Sequence, residues 1–522
     1  MSAPIDATAL GVFIALFALV TVLGFIAARW HKADLSHINE WGLAGRRFGT
    51  LITWFLIGGD LYTAYTFIAV PAAVYGGGAA GFFAVPYTIV AYPFFFLIAP
   101  RLWNVCKRHS FVTAADFVEG RYGDRNLALA VAITGILATL PYIALQLIGM
   151  QVVISSLGIG GSGLAGDLPL FVAFVVLATY TYTSGLRAPA MIALVKDVMI
   201  YVTVVVAVVA VPMKLGGFAH VFAAADAAFA ARPPGAPPAS VILQPGAYWA
   251  YGTLAIGSAM ALFLYPHAVT GILAASRGDA VRRNAVLLPA YSLALGLLAL
   301  FGYMAIAAGL NIAKPNLAVP ALIHALFPSW FAGFAFAAIA VGALVPAAIM
   351  SIAAANLWTR NVYKPFINPR ATPQQEGQQA KLTSLVVKFG ALAFVLAFSS
   401  QYAINLQLLG GVWMLQTLPA VVLGLFTRAL HRTALLCGWF AGMATGTAMF
   451  LATGFKPTFA LHAGGIAVAA YIAVEALAVN LLLAALLTPV FDRAGIARGT
   501  DATTAGDYED EASAGLPIPT IA

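Results

Sequence analysis

Thirteen stretches of this chain are apolar over roughly 20 residues, the length a helix needs to cross the hydrocarbon core of a bilayer, and nothing else limits its fold as tightly. They lie near 8–29, 50–74, 81–100, 127–157, 168–186, 190–212, 247–274, 285–310, 331–356, 382–399, 403–427, 433–453 and 465–489. Only 9% of the residues are charged and 62% are hydrophobic, whereas a soluble domain runs near about half apolar and a quarter charged. So little charge cannot coat a chain of 522 residues in water. The reading is a polytopic, all-α integral membrane protein with 13 transmembrane helices. The N-terminus has no basic stretch ahead of an apolar run too long for a signal-peptide core, so it is expected to stay as the first span.

The formal net charge of +8 matters less than where the charge lies. Of the 27 Lys and Arg, 21 fall in connections on one side, four (Lys214, Arg232, Lys314, Lys456) on the other, and two (Lys196, Lys388) within the runs. The positive-inside rule then puts the N-terminus outside and the C-terminus in the cytoplasm. The two cysteines, Cys106 and Cys437, have no metal-ligand spacing and fall toward the cytoplasmic side, where no disulfide is expected. The longest external connection, about 213–246, holds a Pro/Ala-rich loop and room for a short helix. A second short helix is expected near 317–327.

The organisation follows as an extra N-terminal helix in 1–40, a ten-helix transporter core in 41–430, two C-terminal helices in 431–490, and an acidic tail in 491–522 expected to be disordered. Transporters bind at mid-depth, where helices break and expose backbone groups. The second span carries Gly58-Gly59-Asp60 followed by Pro71, and the seventh carries Gly257-Ser258 followed by Tyr265-Pro266-His267. If spans 2–6 and 7–11 are two inverted five-helix repeats, these are matching breaks in the first helix of each. Close helix packing through glycine is the competing reading for each pair.

Ionisable groups inside the spans are few and costly: Asp60, Lys196, Asp197, His267, Lys388 and Glu475. Asp60, beside a break, is the foremost candidate. Lys196 and Asp197 are a gate or an interfacial ion pair, Lys388 is expected to snorkel toward water, and Glu475 is read as structural. No Lys or Arg is expected at mid-depth, so a carboxylate substrate would be held by free N–H groups of a half-helix, with Tyr62, Thr63 and Thr66 adding hydroxyls. Tyr142 and Gln146 are further polar groups in an apolar helix. A haem needs two axial ligands and the spans offer one central histidine, and no hydrolase triad, zinc motif or nucleotide-binding loop is present. The chain is therefore read as a non-enzyme that takes no cofactor and no nucleic acid.

The run GRRFGTLITWFLIGGDLYTAYTFIAVPAAVYGGGAAG resembles the second span of the sodium:solute symporter family. TAADFVEGRYG, SGLRAPAMIALVKDVMIY, YPHAVTGILAASRGDAVRRNA and GALVPAAIMSIAAANLWTRNVYKPF agree in order, covering about 40 to 430. The likeness is greatest to bacterial monocarboxylate permeases of that family, which import lactate, pyruvate, propionate and similar acids. The resemblance implies a LeuT-like fold with broken first helices in its two repeats and alternating access. It implies sodium ligands at Gly59 and Tyr62 on the first break and at Ala348 and Ser351 on the ninth span, with Ile352 standing where a second hydroxyl is usual and Lys196 where a Thr is usual. It also implies a role for Asp197, with Asp60, in coupling to Na+ or H+.

The expected function is secondary active import of a small monocarboxylate by cation symport. The expected substrate contacts are Gly58, Tyr62, Thr63, Thr66, Tyr142, Gln146, Ser258, Tyr265 and His267. One alternative is the same fold carrying a neutral or zwitterionic solute such as proline or alanine. A channel or sensor on the same bundle is the alternative of another class.

Overall fold

The helix starts show how the sequence builds this molecule. The structure, a computed structural model, describes residues 5–30, 34–59, 62–159, 164–397, 403–463 and 466–509. Helix α1 (Ala7–Ile26) begins at Asp6, whose carboxylate accepts from the Thr8 and Ala9 amides and so takes up two of the N–H groups a helix start leaves unpaired. The short α2 (Ile38–Leu43) precedes α3 (Thr50–Gly59), which ends at the first break. A π-helical turn, Tyr65–Ala69, then leads into α4 (Val70–Gly77). There follow α5 (Ala84–Arg108), α6 (Ala114–Tyr122), α7 (Arg125–Ser156), α8 (Leu164–Ser184) and α9 (Arg187–Lys214). Thr113 caps α6 and Asp124 caps α7 through their side chains.

In the second half, α10 (Phe218–Ala230) is the short helix expected in the long connection. Helices α11 (Tyr248–Leu262) and α12 (Pro266–Leu273) meet at a 46° bend. Next come α13 (Gly278–Leu287), α14 (Pro289–Ala299), α15 (Phe301–Ala307) and α16 (Ala318–Leu326), the last where a second short helix was expected. The long α17 (Ser329–Trp358) precedes α18 (Pro373–Ala397), α19 (Ala403–Met414), the one-turn α20 (Leu418–Val421), α21 (Arg432–Ala452) and α22 (Ile472–Arg493).

Among the described residues ten helices are long and apolar enough to cross a membrane, or eleven with the bent α11–α12 pair as one span. Of the thirteen apolar runs, the second is cut short at its break and the fifth gives a shorter apolar helix. The fold is not purely helical. Strands β1 (Thr458–Ala463) and β2 (Ile466–Tyr471) pair antiparallel where the last apolar run was expected to be helical from 465 onward. Tyr471 anchors the exit. Its amide donates to Thr253 Oγ1 at 3.0 Å and its hydroxyl to the Leu408 carbonyl at 2.7 Å.

Helix α17 is the buried axis of the bundle, packed by α1, α7, α9 and α18. Its small residues let other backbones approach: a methyl on Gly333 would run into the Ala9 carbonyl of α1. Connections from the basic side are tied by ion pairs, among them Arg187–Glu40 at 2.6 Å and Arg360–Glu376 at 3.2 Å. The stretch 494–509, expected to be disordered, is instead packed onto this end. Tyr508 is buried under the Arg101 and Arg121 guanidiniums, at 5.3 and 5.4 Å from its ring centre, and Arg121 pairs with Asp501 at 2.6 Å. Aromatic and carboxylate side chains meeting a cluster of arginines supply the contacts that an acidic tail in water lacks.

Candidate substrate and cation site

The first break exposes backbone groups of both polarities, and each is met by a named side chain. Beyond it the Thr63 amide donates to Thr66 Oγ1 at 2.9 Å, the Ala64 amide to Gln146 Oε1 at 3.0 Å, and the Tyr65 amide to Thr63 Oγ1 at 3.0 Å. Thr66 in turn donates to the Thr63 carbonyl at 2.8 Å. Three of the N–H groups at the start of the outgoing segment thus converge on neutral oxygens, one of them from α7. Thr63, Thr66 and Gln146, expected to line the site, do meet at this break.

On the carbonyl side stands a cation. The Lys196 ammonium donates to the Gly59 carbonyl and, at 3.4 Å, to the Tyr62 carbonyl, and lies 3.1 Å from Asp197 Oδ1. Among the described residues the ammonium thus has two carbonyl acceptors and one carboxylate as an ion-pair partner. Asp197 Oδ2 accepts from the Tyr291 hydroxyl at 2.7 Å. Lys196 and Asp197 are fully buried, so the lysine stem carries its charge from α9 into the break. The expectation that no cation sits at mid-depth fails for this reason: a flexible four-carbon stem places its charge well away from its own backbone.

The two glycines make room for these groups. A methyl on Gly59 would fall 2.9 Å from Lys196 Nζ and 3.0 Å from Asp197 Oδ2, and one on Gly58 would run into the Tyr291 ring. Tyr62 is buried, has its ring centre 4.7 Å from that of Tyr291 at a tilt of 46°, and donates its hydroxyl to the Tyr291 carbonyl at 3.3 Å. Asp60 lies outside the described residues.

The ninth-span candidates form a chain of their own. Ser351 donates to the Ala348 carbonyl at 2.8 Å, Ser384 to Ser351 at 3.2 Å, and Lys388 Nζ to Ser384 at 2.7 Å. Lys388 was expected to snorkel out but is fully buried, with Ser384 one turn earlier on its own helix supplying the oxygen that its ammonium meets. The close approach of α17 to the first break is at Gly342, where a methyl would lie 3.7 Å from the Tyr62 carbonyl. Ser351 stands nine residues further on, roughly 13 Å of helix rise.

At the second break the sequence pointed to Gly257-Ser258, yet both lie inside the unbroken α11. A methyl on Gly257 would fall 2.7 Å from Tyr471 and Val474, so this glycine serves packing. Ser258 is buried and its hydroxyl has no hydrogen-bond partner among the described residues. The bend comes later, between Leu262 and Pro266, because proline at the first position of α12 continues a helix onward but disfavours helical geometry before it. Tyr265 and His267 flank it and meet Tyr142, with ring centres 5.3 to 5.4 Å apart. The Tyr265 hydroxyl donates to the Gln407 carbonyl at 3.0 Å. Tyr65 and Tyr87 stand 6.2 Å apart, and the buried Tyr65 hydroxyl has no partner among the described residues.

Sequence reasoning missed Tyr65, Tyr291, Ser384 and the reach of both lysines. The signal for Lys196 was its place beside Asp197 in an apolar helix, which is costly unless the pair is mutually satisfied.

Compared with known proteins, the chain matches the model of the sodium:solute symporter family over residues 41–446. The chain belongs to the sodium:solute symporter family. Within or beside that family, it is 56% identical over 488 residues to a protein of Rhizobium johnstonii named monocarboxylate transport permease protein, covering 93% of this chain and 98% of that one. It is 23% identical over 448 residues to the sodium/proline symporter of Staphylococcus aureus, with 82% of each chain covered. In structure it is similar to a Na+-coupled sialic acid symporter in a substrate-bound, outward-open state, with a TM-score of 0.73 at 15% identity, covering 93% of this chain and 98% of that one. At that identity the likeness speaks for the shared symporter fold alone. The chain is accordingly a multi-pass membrane transporter of the symporter class.

Proposed function

We propose that this symporter imports small monocarboxylates of the lactate, pyruvate, propionate or acetate type across a bacterial cytoplasmic membrane, coupled to a cation gradient of Na+ or H+. The N-terminus lies outside and the C-terminus in the cytoplasm. The core of 41–430 works as two inverted five-helix repeats among thirteen spans, which rock about the breaks to give alternating access.

The observation that carries the reading is the set of backbone N–H groups at Thr63, Ala64 and Tyr65, now satisfied by neutral oxygens. They sit at the start of a helical segment, where the dipole favours negative charge. A carboxylate replacing the Gln146 amide oxygen turns a neutral hydrogen bond into a charge-assisted one, roughly twice as strong. Gly58, Tyr62 and Thr66 complete the cradle at the first break. Tyr142, Ser258, Tyr265 and His267 bound the short apolar body of the acid from the second. Gly59, Asp60, Tyr62, Asp197, Ala348 and Ser351 belong to the coupling side. The close relative named as a monocarboxylate permease supports the same substrate class.

Competition against labelled lactate uptake in membrane vesicles tests this. Pyruvate, propionate and acetate are expected to compete, and proline and alanine to leave uptake unchanged. Proline outcompeting pyruvate would replace the monocarboxylate by a zwitterionic solute on the same fold. Conductance without accumulation would make the protein a channel.

A further inference from the structure

We infer that Lys196 is a built-in cation that fills the sodium position at the first break, so that sodium does not bind there in the native protein. The inference rests on the symporter reading above, which makes the Gly59 and Tyr62 carbonyls the expected sodium ligands. Those are the two carbonyls that accept from the Lys196 ammonium, and the Asp197 carboxylate forms an ion pair with it at 3.1 Å.

Sodium is a hard cation that takes carbonyl and carboxylate oxygens, and the ammonium takes the same three. Two positive charges in one shell this far from water repel strongly, so occupancy is exclusive. Three further features fit a fixed occupant. The fully buried ammonium donates to two carbonyls and forms an ion pair with the neighbouring carboxylate. Gly59 lacks the methyl that would sit 2.9 Å from Nζ. Asp197 is held on its far side by the Tyr291 hydroxyl at 2.7 Å, which fixes the carboxylate toward the lysine.

The other expected ligands are also engaged, since Ser351 and the Ala348 carbonyl bond to each other and Ser384 links Ser351 to the second buried ammonium, Lys388. With Ile352 in place of a hydroxyl, that half offers sodium little. Lys196→Thr would vacate the first-break position and leave Asp197 as a buried carboxylate facing two carbonyls. A free sodium ion is the natural replacement for the lost charge.

The test is sodium binding by the purified full-length protein, which reports on this site whatever the transported solute. Labelled sodium binding and the thermal midpoint are measured in sodium chloride and in choline chloride at equal ionic strength, with no organic substrate added. Lys196→Thr is expected to gain saturable sodium binding, roughly tenfold above native, together with a sodium-dependent rise in its midpoint. The double variant Lys196→Thr/Asp197→Asn should lose both.

No gain of sodium binding in Lys196→Thr would overturn the inference. Lys196→Gln, closer in length, serves if the threonine variant does not yield monodisperse protein. Recovery of either variant by sodium but not choline counts as the gain. If neither is recovered in either salt, native protein decides. A native sodium-dependent shift that Asp197→Asn removes would overturn the inference, and native indifference to sodium would support it. Failure of monocarboxylates to be transported at all, by contrast, would show only in the uptake assay.

Discussion

The two helix breaks are stabilised by opposite chemistry. At the first, between α3 and the Tyr65–Ala69 turn, hydroxyls, an amide and an ammonium satisfy exposed backbone groups of both signs. At the second, between α11 and α12, proline has no N–H to satisfy, and three rings close around the bend. Removing a donor is one way to break a helix in an apolar setting, and importing acceptors is another. Only the second way leaves dipoles that an ion or a carboxylate can later engage. On the function proposed above, ion and anion handling fall to the first break, and shape to the second.

The comparison breaks most easily at the charges. Asp197→Asn leaves Lys196 buried without its counterion, a change that costs about 3–5 kcal/mol. A large fall in the thermal midpoint and loss of uptake are expected, and a variant of native stability would show that the pair is not coupled. Next come the glycines. Gly59→Ala pushes into Lys196 and Asp197, and Gly257→Ala into Tyr471 and Val474. Each overpacks by about 1–3 kcal/mol, but only Gly59→Ala should abolish uptake by protein that still reaches the membrane. Equal uptake by the two would erase the asymmetry.

Gln146→Leu leaves the Ala64 amide unsatisfied, costing about 1–3 kcal/mol. It should also change the KM for a monocarboxylate more than Tyr265→Phe does. Tyr265→Phe removes one hydrogen bond, worth about 0.5–1.5 kcal/mol, and should leave uptake near native. The smallest effect lies away from both breaks. Burial works to raise the Asp507 carboxyl, but hydrogen bonds from His109 and Thr504 outweigh it and hold it below 3.8. A carboxyl lowered in the folded state stabilises above its ordinary value, and that contribution is lost as pH falls through the folded one. Hydrogen exchange of 494–509 should therefore quicken below about pH 4 and not between pH 5 and 8, as far as Asp507 governs it.

Much of this was legible in the chain because lipid allows so few backbone solutions. The apolar runs set where most long helices lie, and the motif from Gly45 to Gly81 marked both the family and the first break. The second break was misplaced because glycine has two uses in membrane helices. Gly257 packs against Tyr471, a residue more than 200 positions away in sequence, and no local pattern distinguishes that from a break. The lysines were misjudged for a related reason. Whether a stem points to water or into the bundle depends on which neighbours offer oxygens: Ser384 lies on another turn of the Lys388 helix, and the Gly59 and Tyr62 carbonyls that Lys196 meets come from a distant segment. The hairpin at 458–471 escapes sequence reading because β2, IAVAAY, is apolar throughout and runs without a break into the apolar stretch of α22.

The most direct measurement is labelled lactate uptake into proteoliposomes with inward proton and inward sodium gradients imposed one at a time. The account predicts accumulation above equilibrium under the proton gradient and none under sodium alone, since Lys196 holds the first-break position. Accumulation driven by sodium alone would contradict the filled cation site, and no accumulation under either gradient would contradict monocarboxylate symport itself.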